Sequence, residues 1–544
     1  MQDIEFSEED IEKACAELKS GSAGGADGVP AQLLKTCRKE LAKPLYYLWR
    51  GSLDHGLVPQ DLLLVIICPV FKGGSRGLPK NYRPVALTSH IVKVFERVIR
   101  KALINHLEKN NMLPNGQHGF RSLRSTLTQL LDYWDGILDH LQDGKGVDSI
   151  YLDFSKAFDK VETGVLLHKL LDLNIRGKVG CWLASFLDSS SRKQAVVVDG
   201  KMSKLSPVIS GVPQGTVLGP VLFLIHIADI AEGTSQDAAV SSFADDTRIR
   251  KGIQSDQDCQ SLQQDLEVVY GWAERVNMKF NADKFECLRF WPGNMQKPDI
   301  TYTGPDGVEI EEKEHLRDLG VEISRDLTFN VQIQNVINSA SKLAGWGLRT
   351  FRRRSKSTMM TIWKCLVQPK MDYCSQLWSP SSQAAINQLE GVQRHFTSRI
   401  DGLEGKDYWA RLAELKIYSQ ERRRERYQII FLWKISQGLV KGYEMKFRSD
   451  GRRGRLAEEK SVNWRCQAAV RNPLEASLGV KGAKLFNALP RELRDITSEK
   501  ADTFKTALDK FLSSVPDQPT IPDRGRAAES NSLLHQLPLL VRND

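Results

Sequence analysis

Hydrophobic and polar positions alternate on both sides of an acidic pair in the middle of the chain. Small and apolar residues lead through Ser241–Phe243 to Asp245 and Asp246, and an apolar/charged alternation resumes at Thr247. Such alternation is typical of β-strands, so the two aspartates are predicted to lie at the tip of a hairpin. The pair also has a purely structural explanation, because aspartate tolerates turn geometry and bonds its own backbone.

A third aspartate ends a strand upstream. The segment Val147–Asp153 has the composition of a strand in which Ile150 and Leu152 share one face, and a helical pattern follows it. With Asp153 beside the Asp245–Asp246 turn, the three carboxylates would repel one another unless a cation joined them. Oxygen-only ligands suit Mg²⁺, and two such ions about 4 Å apart can activate a hydroxyl and stabilise a departing pyrophosphate. The pattern therefore indicates the chemistry of a polymerase.

Capping residues and apolar spacing predict several further elements. The stretch from Ser7 to Asp10 is typical of a capping box, and Ser89 and Ser255 are predicted to begin long helices. The helix after Ser89 has apolar residues at helical spacing, namely Ile91, Val94, Phe95, Val98, Ile99, Leu103 and Leu107. The run Asp61–Phe71 is predicted to be a buried strand. Asp199-Gly200 is typical of a two-residue hairpin turn, here between Gln194–Val198 and Lys204–Ile209.

The stretch Gly211–Ile230 combines a glycine/proline loop with a strongly apolar helix. Most of that helix is expected to be core. Gln214 is harder to explain as core, because the neighbouring Gly215 allows close backbone approach and glutamine can bond a nucleotide or a template strand. Lys284, further along, is either an ordinary surface charge or a cation for a triphosphate that also donates a proton to pyrophosphate.

From Asn335 the pattern becomes helical and basic. The segment 341–460 holds 25 Lys and Arg against 12 Asp and Glu, whereas the net charge of the whole chain is only +9. Its basic runs Phe351–Lys356, Glu421–Arg426 and Gly451–Arg455 are interleaved with Trp and Tyr residues. For any single aromatic residue a place in a helix core is the better explanation. Together the clusters favour a surface that binds a nucleic-acid backbone and weakens steeply with salt.

Composition and length narrow the class of protein. At 544 residues, 41% hydrophobic and with a mean hydropathy of −0.35, the chain has the composition of a soluble globular protein with several domains. The nine cysteines form no Cys-x-x-Cys pair and no zinc-knuckle spacing, which favours reduced thiols inside a cell. The acidic N-terminus lacks the pattern of a signal peptide, and Asp61–Phe71 is too short to span a bilayer. We expect an intracellular protein that is not secreted and has no membrane partner.

Ordered motifs connect these observations to a known family. The motifs are GADGVP, PVFKGG, NYRPVALTS, GFRSLRST, YLDFSKAFDKV, GVPQGTVLGPVLFLIHIADI, FADDT and NADKFECLRF, from about Gly21 to Trp291. In this order they resemble the reverse transcriptases of non-LTR (LINE-type) retrotransposons, in particular the jockey group. LVQPKMDYCSQLW, VQRHFTSRI, YWARLAEL, ERRRERYQII and LFNALPRELR resemble the C-terminal region of that family and extend the match to about Leu512. A set this long is far more specific than an isolated Asp-Asp pair.

The resemblance implies a fold and a set of site residues. The fold would be an α+β right-hand polymerase of fingers, palm and thumb, followed by a mainly helical basic C-terminal region. Asp153, Asp245 and Asp246 would be catalytic ligands of two Mg²⁺ ions, with Mn²⁺ as an alternative, and Lys284 would be a catalytic lysine. The substrate-binding residues would be Phe158, which excludes a 2′-hydroxyl, Gln214 and Gly215 at the template and nucleotide, and Lys72, Arg83 and Arg121 at the triphosphate.

Five regions are predicted along the chain. Residues 1–60 would be a helical N-terminal extension and 61–330 the reverse transcriptase fingers and palm. Residues 331–450 would form a helical thumb and basic region, 451–513 a C-terminal helical region, and 514–544 a disordered tail rich in proline and polar residues.

The first functional hypothesis is an RNA-directed DNA polymerase. It would add dNTPs to the 3′-hydroxyl of a DNA primer or of nicked target DNA on an RNA template. An endonuclease would be supplied elsewhere, and the family's way of life would place the chain in the nucleus at the site of integration.

Departures from the family pattern motivate a second hypothesis. His226, Ala228 and Phe285 stand where the family usually has Tyr, Asn and Thr, and the segment before PVFKGG lacks the usual Trp. The alternative is a catalytically silent, truncated retrotransposon remnant that only binds nucleic acid. A third interpretation, an RNA-directed RNA polymerase, shares the palm carboxylates, but Phe158 argues against it.

Overall fold

The structure, a computed structural model, describes residues 1–212, 215–451, 453–519 and 530–541. Its α-helices are α1 Glu8–Ala16, α2 Ala31–Thr36, α3 Arg38–His55, α4 His90–Lys109, α5 Thr126–Gln142, α6 Ala157–Lys160, α7 Thr163–Asp172, α8 Gly177–Leu187, α9 Gly219–His226, α10 Asp256–Arg275, α11 Asn330–Thr350, α12 Lys356–Ile362, α13 Gln368–Asp372, α14 Ser375–Trp378, α15 Gln383–Thr397, α16 Tyr408–Leu415, α17 Gln420–Ser436, α18 Ala468–Ala476, α19 Ala483–Asn487, α20 Arg491–Arg494, α21 Ala501–Leu512 and α22 Leu533–Val541. Its strands are β1 Leu64–Phe71, β2 Tyr82–Leu87, β3 Gly146–Leu152, β4 Lys193–Val198, β5 Lys201–Met202, β6 Ser206–Pro207, β7 Ala239–Phe243, β8 Asp246–Ile253, β9 Glu286–Phe290, β10 Glu311–Glu312, β11 His315–Asp318, β12 Val321–Ser324, β13 Phe447–Asp450 and β14 Gly454–Ala457.

Several helices begin at the capping residues that the sequence predicts. Ser7 and Asp10 form a capping box at α1, each side chain accepting the backbone N–H of the other residue. Ser89 accepts two backbone N–H groups at the start of α4, and Ser255 forms a capping box at the start of α10. These bonds satisfy donors that the first turn of a helix otherwise leaves unpaired. The predicted starts of these helices are confirmed.

Five strands form the β3 sheet, in the order β10-β9-β3-β8-β7. Its central strand β3 runs antiparallel to both β8 and β9. The register pairs Leu152 with Thr247, so the C-terminal end of β3 lies beside the start of β8. This pairing brings Asp153 beside the acidic turn between β7 and β8.

The β3 sheet separates two hydrophobic cores. Ile150 and Leu152 lie in the first core together with buried residues of α3, α4 and α7 to α10. Val147 lies in the second core, which α5 shares with the helices from α11 onward. Successive side chains of a strand point to opposite faces, so the predicted shared face of Ile150 and Leu152 is confirmed. Both faces of the β3 sheet are therefore packed.

The N-terminal helices belong to the first core. Trp49 on α3 stacks on Phe95 of α4 with ring centroids 4.9 Å apart, and both side chains are buried. Ile11 on α1 is buried in the same core. Residues 1–60 therefore share a core with the central region, which contains the β3 sheet.

The β1 sheet has the order β2-β1-β4-β5, and β6 pairs with β4. The turn between β4 and β5 has positive φ at Asp199 (47°) and Gly200 (76°), as the predicted two-residue hairpin turn requires. The returning strand is shorter than expected, because pairing is confined to β5 and β6. The strand predicted within Asp61–Phe71 is present as β1, but the expectation that it is buried was wrong, since within β1 only Val65 is buried. Exposed side chains such as Val196 show that one face of this sheet is open.

The C-terminal segment differs from the predicted disorder. Within its described part, α22 packs Leu533 and Leu537 into the second core, and the Asn531 side chain donates to Asp517 at 2.8 Å. The prolines and polar residues of the segment obscured this short apolar stretch. Residues 520–529 and 542–544 lie outside the described part. None of the described helices, α22 included, combines the length and apolarity needed to cross a membrane.

Candidate active site

The turn between β7 and β8 presents the acidic pair. Phe243 pairs with Asp246 across the turn, which confirms the predicted hairpin, and Ala244 has a φ of 59°. The Ala244 N–H donates to the side-chain oxygen of Gln117 at 3.2 Å. The turn that carries Asp245 is thereby attached to the loop before α5.

Gly119, in the same loop, packs directly against this turn. A Cβ at this position would lie only 2.5 Å from the Ala244 nitrogen. The Gly119 N–H donates to the same Gln117 oxygen at 2.9 Å. Sequence reasoning missed Gln117, although it is a polar residue in a glycine-containing loop, the same signal that Gln214 gave.

The three predicted carboxylates lie close enough to affect one another. Desolvation raises the pKa of Asp245, and the Asp153 carboxylate raises it further. Desolvation likewise raises the pKa of Asp246 to about 6, with further contributions from Asp245 and Asp153. Arg83 and Lys284 lower the pKa of Asp245 and oppose this shift. The cluster thus carries a repulsion that a bound cation would relieve.

Lys284 pairs directly with the carboxylate that ends β3. Its Nζ lies 2.9 Å from Asp153 Oδ2, and the Asn281 side chain donates to the same oxygen at 3.3 Å. The Asn281 N–H also donates to the Asp153 carbonyl at 2.8 Å. Sequence reasoning placed Lys284 at the site but missed Asn281, which fixes Asp153 through both its backbone and its side chain.

An open cavity of about 340 Å³ lies next to these residues. Asp153, Asp246 and Lys284 line it together with β11 and the turn that follows, including Asp318 at the end of β11. Asp318 forms a buried ion pair with Arg248 of β8, two residues after Asp246. The hairpin is therefore tied to β8 and forms a wall of the cavity.

The chemistry of the donor set fits a hard divalent cation. All the candidate ligand atoms are carboxylate oxygens, and desolvation together with the neighbouring carboxylates raises the pKa of Asp245 and Asp246. In the described ranges, no three His, Cys, Asp or Glu side chains converge closely enough to enclose an ion by themselves. A cation here would therefore take part of its shell from water and substrate, as Mg²⁺ does in phosphoryl-transfer sites.

Phe158 is half-buried beside the loop that begins at Gly211. Its ring stacks on Phe223 of α9 with centroids 4.3 Å apart and meets the edge of Phe120 at 6.2 Å. Its carbonyl accepts the Val212 N–H at 2.9 Å. The ring is therefore held rigidly, as a side chain that limits the size of a ligand must be.

The predicted template and nucleotide loop is described on both sides of residues 213–214. Gly215 has a φ of 115°, and a Cβ there would lie 2.4 Å from the carbonyl oxygen of Ala86 on β2. Glycine is thus required at this position by conformation and by contact. Gln214 itself lies outside the described residues.

The predicted triphosphate residues differ in their surroundings. Lys72 and Arg83 are exposed on the β1–β2 hairpin, and only Arg83 is seen to influence Asp245 electrostatically. Arg121 is buried in an ion pair with Glu108 at 2.9 Å and donates to the Pro114 carbonyl at 2.7 Å. This differs from its predicted role, because its donors already hold the loop before α5 to α4.

The basic run Glu421–Arg426 is not an exposed surface. Arg422 and Arg424 are buried, and Arg424 lies over the Trp378 ring at 4.1 Å. Arg423 pairs with Asp372 at 2.8 Å and Arg426 with Asp509 at 2.5 Å. The expectation that this run binds a nucleic-acid backbone was therefore wrong, since α17 runs through the interior of the helical region.

The aromatic residues of the basic region include both buried and exposed side chains. Trp363, Trp378, Trp433 and Tyr408 are buried, as the simpler explanation predicted. Trp346 is exposed on α11. The basic residues that remain accessible near it include Arg352 and Arg353, in the loop after α11.

Comparison with known proteins then identifies the central region. Residues 71–323 match the family described as reverse transcriptase (RNA-dependent DNA polymerase). Residues 71–323, a little under half of the chain, are therefore similar to a reverse transcriptase domain. This domain contains the whole β3 sheet and all three carboxylates.

Relatives of the chain come from mobile elements. It is 26% identical over 405 residues to the RNA-directed DNA polymerase from mobile element jockey of Drosophila melanogaster, covering 72% of this chain and 44% of that protein. It is also 26% identical over 405 residues to the probable RNA-directed DNA polymerase from transposon X-element of the same species, covering 73% and 44%. The chain thus spans less than half the length of these relatives. The predicted resemblance to jockey-type reverse transcriptases is confirmed.

A solved structure, apo telomerase from Candida tropicalis truncated from its C-terminal domain, matches with a TM-score of 0.36 and 11% sequence identity. The match covers 53% of this chain and 59% of that chain.

Proposed function

We propose that this chain is an RNA-directed DNA polymerase that adds deoxynucleotides to a DNA 3′-hydroxyl on an RNA template. The observation that carries the proposal is the grouping of Asp153, Asp245 and Asp246 at one end of the central strands of a reverse transcriptase domain. Burial and the neighbouring negative charges raise the pKa of Asp245 and Asp246, which supports a cluster whose charge a bound cation would balance.

In this proposal the three aspartates hold two Mg²⁺ ions, with Mn²⁺ as an alternative. When bound, the ions would make the primer hydroxyl a better nucleophile and stabilise the charge on the departing pyrophosphate. The carboxylates are tied to the fold at the β7–β8 turn by Gln117 and at the end of β3 by Asn281. That attachment keeps the oxygens in place when substrate enters.

The remaining site residues act on the nucleotide. Lys284 neutralises negative charge beside Asp153 and is positioned to donate a proton to pyrophosphate. Arg83 and Lys72 supply positive charge on the β1–β2 hairpin for the triphosphate. The rigidly packed Phe158 excludes a 2′-hydroxyl, and Gly215 with Gln214 contacts the template base and nucleotide.

The proposed function assigns parts of a right hand to the observed elements. The β1 sheet and the loop before α5 belong to the fingers, and the β3 sheet with α10 belongs to the palm. The helices from α11 onward form the thumb and the basic region. An RNA template and a DNA primer, or nicked target DNA, would lie along the open side of the β11–β12 hairpin.

The wider setting follows from the same proposal. The primer in an integrating element would be target DNA nicked by an endonuclease that another polypeptide or region supplies. The reaction would then take place in the nucleus, where the target DNA is.

Primer extension on a primed RNA template tests the proposal. Wild type with Mg²⁺ and dNTPs should extend the primer, and Asp245→Asn should lower the rate by roughly a hundred- to a thousandfold, because a charged ligand at the reacting phosphate is removed. Asp199→Asn is a matched control, since Asp199 also sits at a hairpin turn but lies on the β1 sheet away from the carboxylates.

A second measurement reports on the site without catalysis. Mg²⁺ should raise the melting temperature of wild type and of Asp199→Asn, but have little effect on Asp245→Asn. Extension by Asp245→Asn at the wild-type rate would overturn the assignment. Folded wild type that binds RNA but incorporates neither dNTPs nor NTPs would favour the silent remnant instead.

A further inference from the structure

Glu96 on α4 is a buried carboxylate outside the catalytic cluster. Its side chain has 0% exposure, and Oε2 accepts the N–H groups of Val217 at 2.7 Å and Leu218 at 2.9 Å. These residues directly precede α9, so the carboxylate lies near the positive end of that helix dipole. Within the described residues, Oε1 has no hydrogen-bond partner. Sequence reasoning missed Glu96 because it stands among the apolar residues of a long helix.

The segment that Glu96 holds, 215–218, touches strand β2. Gly215 is pressed against the carbonyl of Ala86, where a Cβ would approach to 2.4 Å. The same strand carries Arg83, whose charge lowers the pKa of Asp245. The segment is thus wedged between α4 and β2, next to the position at which the incoming nucleotide is proposed to bind.

A buried cation lies on the other side of residues 213–214. Arg192 is buried, interacts electrostatically with Glu96, and donates to the Gly211 carbonyl at 3.5 Å. The Val212 N–H donates to the carbonyl of Phe158. Both described flanks of the loop are therefore anchored. Glu96 holds the flank after residues 213–214, and the flank before them is bonded to Phe158, the residue proposed to exclude a 2′-hydroxyl.

The buried carboxylate of Glu96 lowers the stability of the fold. Burial of a carboxylate with one unpartnered oxygen costs free energy that an apolar side chain of similar size would not incur. A carboxylate, however, gives stronger and more directional bonds to two N–H groups than a neutral acceptor does. The arrangement favours a role in fixing geometry over a role in packing.

We propose that Glu96 is a positioning residue that fixes the 215–218 segment and, through Gly215, sets the dimensions of the site for the incoming nucleotide. The proposal rests on the polymerase function proposed above. Glu96 has no contact with the reacting groups in the described structure, so it acts through the backbone that it holds.

Kinetics of two variants test this role. Glu96→Ala should raise KM for dNTPs roughly tenfold, because the variant lacks two charge-assisted hydrogen bonds to the segment, and should change kcat less. Glu96→Gln keeps one acceptor oxygen and should restore part of the affinity. The Kd for primer-template should stay near the wild-type value, since nucleic acid binds over a much larger surface.

Asp148→Asn provides the matched control. Asp148 is another fully buried carboxylate, on β3, bonded to Arg289, Trp291 and Tyr302. Its replacement should lower the melting temperature but leave KM for dNTPs unchanged. Equal rises of KM in Asp148→Asn and Glu96→Ala would reduce Glu96 to a merely structural residue and overturn the proposal.

Hydrogen exchange separates this inference from the proposed function. The amides of Val217 and Leu218 should exchange at least roughly tenfold faster in Glu96→Gln and Glu96→Ala than in wild type, and at the wild-type rate in Asp148→Asn. Unchanged exchange at these amides would overturn the role of Glu96 even in an active enzyme. If wild type were inactive but showed the expected exchange pattern, the polymerase proposal would be wrong. The inference that Glu96 fixes segment 215–218 would still hold.

Discussion

A histidine fills position 226 at the end of α9, in the first hydrophobic core. His226 is fully buried, and neither ring nitrogen has a hydrogen-bond partner among the described residues. Desolvation, with a smaller contribution from the nearby Lys169, lowers its pKa to about 4. The fold therefore favours the neutral ring, and protonation of this side chain opposes folding.

Replacement of this ring should stabilise the protein. His226→Phe removes two unpartnered polar atoms from the core with little change of shape, so we expect a gain of about 1 kcal/mol at pH 7. Because the pKa of folded His226 lies below its ordinary value, its neutral form contributes fully above about pH 6.5, and stability is lost as the pH falls towards 4.

Thermal melts of wild type and His226→Phe at pH 7 and pH 5 measure both effects. The variant should melt higher at pH 7, and the difference should widen at pH 5, since only wild type has this ring to protonate. A variant that melts lower, or a difference that is independent of pH, would contradict the account. Other titrating groups are common to both proteins and cancel in the difference.

At the scale of single residues, the local sequence pattern was sufficient to predict some residues of the candidate site and insufficient for others. Asp153, Asp245 and Asp246 were predictable because each stands at a strand end or turn that alternation marks. Gln117 and Glu96 were not, because their partners lie far away in sequence and only the folded chain brings them together. Arg121 shows the opposite error. Its motif predicted a role at the triphosphate, but in the structure its guanidinium is paired with Glu108.

At the scale of elements, α17 shows how a basic sequence can become an interior helix. The four arginines among the six residues of Glu421–Arg426 suggested a surface, yet their guanidinium groups contact carbonyl groups, carboxylates and an indole ring. Tertiary context decided this, and no periodicity in the run distinguishes the two outcomes. The hairpin and capping predictions succeeded because their signals are local.

Arg424 allows this correction to be tested. Its guanidinium donates to the Met371 carbonyl and lies over Trp378, with no carboxylate bonded to it in the described structure. Arg424→Met should keep or slightly raise the melting temperature, because an apolar side chain of similar volume replaces a desolvated charge. It should leave RNA affinity unchanged. A clear loss of RNA affinity in a variant with a normal melting temperature would show that α17 does contribute to RNA binding.

At the scale of the whole molecule, packing of the two cores determines which basic residues are buried and which remain exposed to bind nucleic acid. The order of motifs was enough to predict a reverse transcriptase domain. The packing of residues 1–60 into its core was not predictable, because helix-forming patterns do not reveal which helices share a core. The basic excess was visible in the sequence, but only burial shows which of its charges remain available.

The accessible charges, as opposed to the buried ones, should govern binding of nucleic acid. Arg352 and Arg353 are exposed in the loop after α11, at the part of the chain that follows the β11–β12 hairpin. Replacement of both by Ala should weaken RNA binding at low salt and reduce the slope of log K against log salt by roughly 1.4, about 0.7 for each phosphate of a single strand that is no longer neutralised. Titrations at several salt concentrations give this slope, with Arg424→Met as the control that removes one buried arginine. If the double variant kept the wild-type slope, the path of the RNA would have to run over a different face, and the open side of the β1 sheet, with its exposed lysines, would be the next surface to test.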